Sequence, residues 1–354
     1  MLRQSLFIIL LSLMIWGCKD DLDVEEPVEP AVSWLEDERF LFETKVQFNT
    51  HADGERIHFM GRDHFSTIEL AADDTTEVIQ HAFHWLNYNQ HGRMPITDEL
   101  FITASQNIVR IASTLNPVLQ GASQYINLAE LDPDFAFIET PSFWMSEAIA
   151  VNEENVCLIP YHYRLTDNIG GIRVLKVKVA LNEFMTIAET EIITISDSGF
   201  PIRSIYAFGN DFLITDDRNV FFLDQNNQIT VAAEFPVSNL FQINGQWFGI
   251  RGEKLYRTVD GRAWTEAGTI NPDLGLVSYD QLVGKTIGVF NSQIFLFELE
   301  GDQLQISELN NDGLFGHEIT SVDVFNGKVY AATLSGVFVK DLEHFWEERV
   351  QEEG

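Results

Sequence analysis

Two cysteines in 354 residues cannot build a disulfide framework, so the folded body must hold together by packing alone. Basic residues are scarce too. Only 22 lysines and arginines stand against 54 acids, a formal charge of -32, and such a surface repels phosphate backbones and anionic headgroups. Nucleic acid is therefore excluded as a partner. The apolar run at the N terminus, residues 6–16, stops after eleven members, well short of the roughly 20 that a spanning helix needs. Six of the nine histidines lie between His51 and His91, but no cysteine or glutamate completes a ligand set around them. No metal or other cofactor is expected. What the chain does have is 45% hydrophobic and 12% aromatic residues, enough for a large core.

The N terminus reads as an address. Arg3 precedes the apolar run with no acid among the first five residues, the pattern of a secretory signal. Gly17 and Cys18 follow, and the series Ile15-Trp16-Gly17-Cys18 resembles the lipobox of bacterial lipoproteins, with Trp16 bulkier than the residue usual there. The resemblance implies that the chain is cut before Cys18, that the thiol is diacylglycerated and that the new amine is acylated. Several acyl chains at about 0.8 kcal/mol per buried methylene hold a protein on a membrane stably. Lys19-Asp20-Asp21 resembles the export signal that takes lipoproteins of Bacteroidota-type bacteria to the outer face of the outer membrane. Residues 1–17 are thus read as signal peptide, 18–34 as an acidic, proline-containing tether, and 35–354 as the body.

The body repeats. Segments beginning at Ile202, Ser238, Tyr279 and Thr320 align so that Asp211, Gly245, Gly284 and Gly327 share one position, at spacings of 34, 39 and 43. Each unit shows a short apolar strand, a tight turn, two more strands and a fourth, and Asn244-Gly245 and Asn326-Gly327 are favoured hairpin turn pairs because both residues need positive φ. Period-two alternation and β-branched content exclude a helical solenoid. Four antiparallel strands every 40 residues or so is the size of a propeller blade. Residues 40–85, 99–138 and 143–195 hold three further sets, with residues 40–48 as the first strand, beside the last blade. The fold expected is an all-β propeller of seven four-stranded blades.

Between two strands of one unit stands Thr258-Val259-Asp260-Gly261-Arg262-Ala263-Trp264. It resembles the Asp-box of sialidase-like propellers, one residue short between aspartate and tryptophan, and Asp341 with Trp346 repeats the full distance without the serine and glycine. By that resemblance Asp260 caps a turn and Trp264 packs between blades, which is a structural role. Cys157, inside an apolar segment, reads as a buried strand residue.

Blade-to-blade loops and second-to-third strand loops share one face of a propeller. The longest fall there, residues 86–98 and 160–171, and long loops on a rigid scaffold commonly carry function. Arg62, Arg164, Arg218 and Arg251 fall in second-to-third strand loops and Arg93 in a blade-to-blade loop. Arginines gathered on one face of so acidic a protein could hold a carboxylate bidentately, and Tyr88, Tyr161 and Tyr163 could stack on a sugar ring. Each arginine could equally pair with a neighbouring acid such as Asp63, Asp217 or Glu253. The function expected is a lipid-anchored cell-surface module that binds or assembles, with an acidic glycan or an outer-membrane protein as partner. The alternative is a glycan-active hydrolase of the sialidase-like class, but the Arg-Ile-Pro signature of such enzymes is missing and no nucleophile pair can be nominated.

Overall fold

A computed structural model describes residues 33–40, 45–61, 64–70, 76–82, 95–105, 107–115, 123–135, 148–166, 169–181, 185–196 and 202–349. The alternating segments form seven antiparallel sheets arranged as a β-propeller. Strand β1 (Leu35–Glu36) comes first in the chain but belongs to the last blade. Blade one is β2 (Gln47–Ala52), β3 (Arg56–Gly61), β4 (His64–Leu70) and β5 (Thr76–Ala82). Blade two has three strands among the described residues, β6 (Leu100–Ser105), β7 (Ile108–Ser113) and β8 (Ser123–Asn127). Blade three is β9 (Ala150–Val151), β10 (Val156–Thr166), β11 (Ile169–Ala180) and β12 (Thr186–Ser196).

Blades four and five are β13 (Ile202–Phe208), β14 (Asp211–Asp216), β15 (Val220–Leu223) and β16 (Ile229–Ala233), then β17 (Leu240–Ile243), β18 (Gln246–Arg251), β19 (Lys254–Thr258) and β20 (Thr265–Thr269). Blade six is β21 (Ser278–Leu282), β22 (Lys285–Phe290), β23 (Gln293–Glu300) and β24 (Gln303–Glu308). In the last blade β25 (Ile319–Phe325), β26 (Lys328–Thr333) and β27 (Gly336–Asp341) are joined by β1, with Leu35 opposite Val339 and Glu36 opposite Phe338. The turn residues behave as their chemistry requires: Asn244 and Gly245 have φ of 50° and 77°, Asn326 and Gly327 49° and 70°.

Apolar side chains fill the spaces between neighbouring sheets. One cluster joins blades six and seven through Ile287, Leu296, Val322 and Phe338, with Trp34 and Phe345 wedged in from the two ends of the described chain. Their rings meet edge to face at 5.9 Å. Another joins blades three and four through Leu158, Val174, Ile205 and Phe212. Cys157 is fully buried in β10, and burial pushes its thiol up to about 12.

Two expectations need correction. The first strand of blade one is residues 47–52, not 40–48. Phe40 instead ends a short 3₁₀ turn and packs against Phe59 at 4.7 Å. The inner strand has a polar sequence, QFNTHA, because it borders the ring axis, so an apolar pattern could not find it. It does lie beside the last blade: the Thr320 hydroxyl donates to Gln47 O at 3.0 Å. Closure of that blade comes from β1, which covers the edge of β27. Among the described residues the C-terminal segment adds no strand to that blade: it buries Phe345 in the core and runs along Glu308–Asn310 through a bridge from Glu348 to Leu309.

The second correction concerns residues 160–171. Residues 160–166 and 169–171 are not a long loop but the distal part of a β10–β11 hairpin, with Tyr161 opposite Arg173 and Tyr163 opposite Gly171. Alternation simply continues: Tyr161 and Tyr163 are buried while Arg164 is exposed. Gly171 lets the Tyr163 ring lie against the backbone, since a Cβ there would sit 2.5 Å from it.

Candidate functional site

The innermost strands of a propeller have one edge against their own blade and the other toward the axis. Here the axis holds a cavity of about 390 Å³ lined from six blades. Blade one supplies Asn49, Thr50 and His51, blade four Arg203 to Tyr206, blade five Asn239, and blade six Ser278, Tyr279 and Asp280, with Pro95, Ile96 and Ile149 from the approaches to blades two and three. These residues sit at or before the starts of inner strands, or midway along them. The cavity therefore opens on the face of the blade-to-blade loops, the face expected to carry function.

Its charged groups are held in place. His51 Nε2 lies 2.7 Å from Asp98 Oδ1, and Arg203 pairs with Asp217 from the β14–β15 loop. The Tyr206 hydroxyl donates to Asn239 Oδ1 at 2.9 Å, and Tyr279 donates to Leu274 O at 2.9 Å while its ring stacks on Phe241 at 4.2 Å. Asp280 and Asp323 occupy the same place on neighbouring inner strands, three residues before the turn positions Val283 and Asn326. Asp323 accepts the N–H groups of Ala52 at 2.6 Å and Val324 at 2.7 Å. Burial, with Asp280 adding to it, holds the Asp323 carboxyl above the usual carboxylate range despite those hydrogen bonds.

The residues singled out from sequence distribute differently. Cys18, Arg62, Tyr88 and Arg93 lie outside the described residues. Arg164, Arg218 and Arg251 stand at or near the second-to-third strand turns of blades three, four and five, outside the lining of the axial cavity. The Arg218 N–H caps on Asp216 Oδ1, and the Arg251 guanidinium sits 5.4 Å from the Phe235 ring centroid. Tyr161 and Tyr163 are buried inside the hairpin rather than presented to a ligand. The Tyr161 hydroxyl donates to Asp132 at 2.7 Å, Arg173 donates to both oxygens of Asp132, and its guanidinium lies 3.9 Å from the centroid of Tyr163.

Asp260 does cap its turn. Its Oδ1 accepts the N–H groups of Arg262 and Ala263, each at 2.9 Å, which holds its carboxyl below the usual range. Trp264 packs with Leu213, Phe222 and Leu240 between blades four and five. Asp341 does not act the same way: it makes no side-chain cap, and the chain runs straight into the short helix Leu342–Phe345.

Sequence reasoning missed Arg203, Asn239, Ser278 and Asp280. A signal was present, because repeat units open on polar pairs, Arg203-Ser204, Ser238-Asn239 and Thr320-Ser321, where a buried strand would be apolar.

Neither a known protein family nor a curated relative matches the sequence. The fold is similar to solved propellers at low identity. A virginiamycin B lyase from Staphylococcus aureus has a TM-score of 0.56 at 12% identity, over 87% of this chain and 97% of the other. PorZ, a bacterial surface component of the type-IX secretion system of Porphyromonas gingivalis, has 0.52 at 10%, over 91% of this chain and 40% of that one. The extracellular domain of a hybrid two-component system from B. thetaiotaomicron has 0.52 at 10%, over 87% and 39%. At these identities the likeness is one of fold.

Proposed function

We propose that this chain is a lipid-anchored propeller of the outer-membrane surface that serves as a binding or assembly module. Its ligand sits on the face where the axial cavity opens. The observation that carries the reading is the cavity itself, whose polar walls come from the inner strands of four blades or from residues beside them. Arg164, Arg218 and Arg251 on the same face fit a ligand that presents carboxylates, either an acidic glycan or an acidic surface of a partner protein. The lipobox at Cys18 and the Lys19-Asp20-Asp21 signal support the address. PorZ, a surface component of a secretion system with the same fold, gives a precedent for assembly.

Ser278→Trp tests the site by placing an indole in the cavity. A thermal-shift screen of acidic and neutral sugars should find a ligand for the parent that this variant no longer binds. If the variant responds as the parent does, the ligand lies elsewhere. Cys18→Ala should release the protein from membranes, and continued membrane association would refute the anchor.

A further inference from the structure

A second cavity, of about 530 Å³, opens between blades three and four on the opposite face, where the long β11–β12 ribbon overhangs the turns of blade four. Side-chain hydrogen bonds fix its walls, among them one from Asn227 to Glu191. The Asn210 side chain donates to Glu154 Oε1 at 2.7 Å, and Lys176 Nζ donates to Asn227 Oδ1 at 2.6 Å and Gln225 O at 3.1 Å. Asn227, at φ 63°, belongs to a turn held by Asp224, whose Oδ1 takes the N–H groups of Asn226 and Gln228. The blade-four turn is therefore rigid where it faces the cleft.

Lys178, Glu189, Thr190 and Asn226 also line this cleft, and their side chains have no partner among the described residues. The lining combines amines, carboxylates, amides and a hydroxyl. Two lysines stand against three glutamates, so neither an anion nor a cation is favoured, and the one apolar member, Val156, is buried. A ligand suited to such walls is uncharged and can donate and accept at each point, as a hydroxyl does. Among the described residues no group of three histidines, cysteines or acids stands close enough for a metal.

We propose that the cleft between blades three and four binds a neutral, hydroxyl-rich glycan, independently of the axial cavity. The test is titration calorimetry of the full-length protein with cellotriose, mannotriose and triacetylchitotriose, and with sialyllactose and trialanine as charged and peptide controls. At least one neutral trisaccharide should bind saturably in the millimolar range or tighter. Lys178→Ala with Asn226→Ala should weaken it by about tenfold, the loss of two ordinary hydrogen bonds. The melting temperature should not change, because the fold does not use those two side chains. Ser278→Trp, which plugs only the axial cavity, should leave this binding intact. Absence of binding by all three trisaccharides, preference for sialyllactose or trialanine, or binding indifferent to the double substitution would each overturn the proposal.

Discussion

Tyr161→Phe removes one oxygen and nothing else, and it separates a ligand-stacking tyrosine from a structural one. Tyr161 is 1% exposed, and its hydroxyl gives a 2.7 Å hydrogen bond to Asp132, itself 3% exposed. A hydrogen bond to a charged partner contributes about 1.5–3 kcal/mol. At an unfolding entropy of about 2 cal/mol/K per residue, that corresponds to a drop of roughly 2–5 °C in Tm for a body of this length. Asp132→Ala should cost more, about 3–5 kcal/mol, because it strips Arg173 of its buried partner and leaves the Tyr161 hydroxyl unsatisfied. The double variant should cost less than the sum, since both changes break the same bond.

The same network sets a pH dependence. Burial of Asp132 opposes ionisation, but hydrogen bonds from Arg173, Tyr161 and the Asp134 N–H outweigh it and hold the carboxyl below the usual range. A lowered folded-state pKa contributes stability above the unfolded value, and that stability is lost as pH falls through the folded one. Urea melts of parent and Asp132→Asn should therefore differ most at neutral pH and converge in acid. A Tyr161→Phe variant that melts like the parent but loses ligand affinity would refute this account and return the ring to the binding surface.

Four further outcomes are expected. Trp34→Ala should destabilise by about 3–5 kcal/mol, as for other buried aromatics, because the indole packs on Phe345 and its Nε1 donates to Asn310 O; a denaturant midpoint equal to the parent's would mean that the chain start is not part of the closure. Gly313→Ala should also destabilise, since φ is +90° and its Cβ would meet Trp34 O at 2.3 Å; calorimetry reads it. Replacing Arg164 and Arg218 together by Gln should weaken an acidic ligand by about tenfold or more, at 1.5–3 kcal/mol per charged hydrogen bond, and unchanged affinity would remove those arginines from the site. Replacing Lys19, Asp20 and Asp21 by Ala should leave the protein membrane-bound but shielded from external protease, and retained accessibility would show that the triplet is not the export signal.

The sequence by itself determined the class of fold. Turn pairs such as Asn244-Gly245 and Asn326-Gly327 have few alternatives, because positive φ is costly for most residues. Strands packed between two neighbouring sheets are apolar along most of their length, as in Val220–Leu223 and the middle of Lys328–Thr333, so the repeat from Ile202 onward reads as blades without coordinates. Cys157, Asp260 and Trp264 were legible for the same reason, each set by local turn chemistry or by alternation. Tertiary structure alone decided three things. Closure is non-local: Leu35 and Val339 lie 304 residues apart and nothing in Leu35–Glu36 marks it as the missing strand. By sequence Tyr161 and Tyr163 fall in a long loop, and only the register opposite Arg173 and Gly171 shows that the rings turn inward. The axial cavity is assembled from positions as distant as His51 and Asp280. Their polarity is visible in the sequence, but their proximity exists only once the inner strands have been brought around one axis.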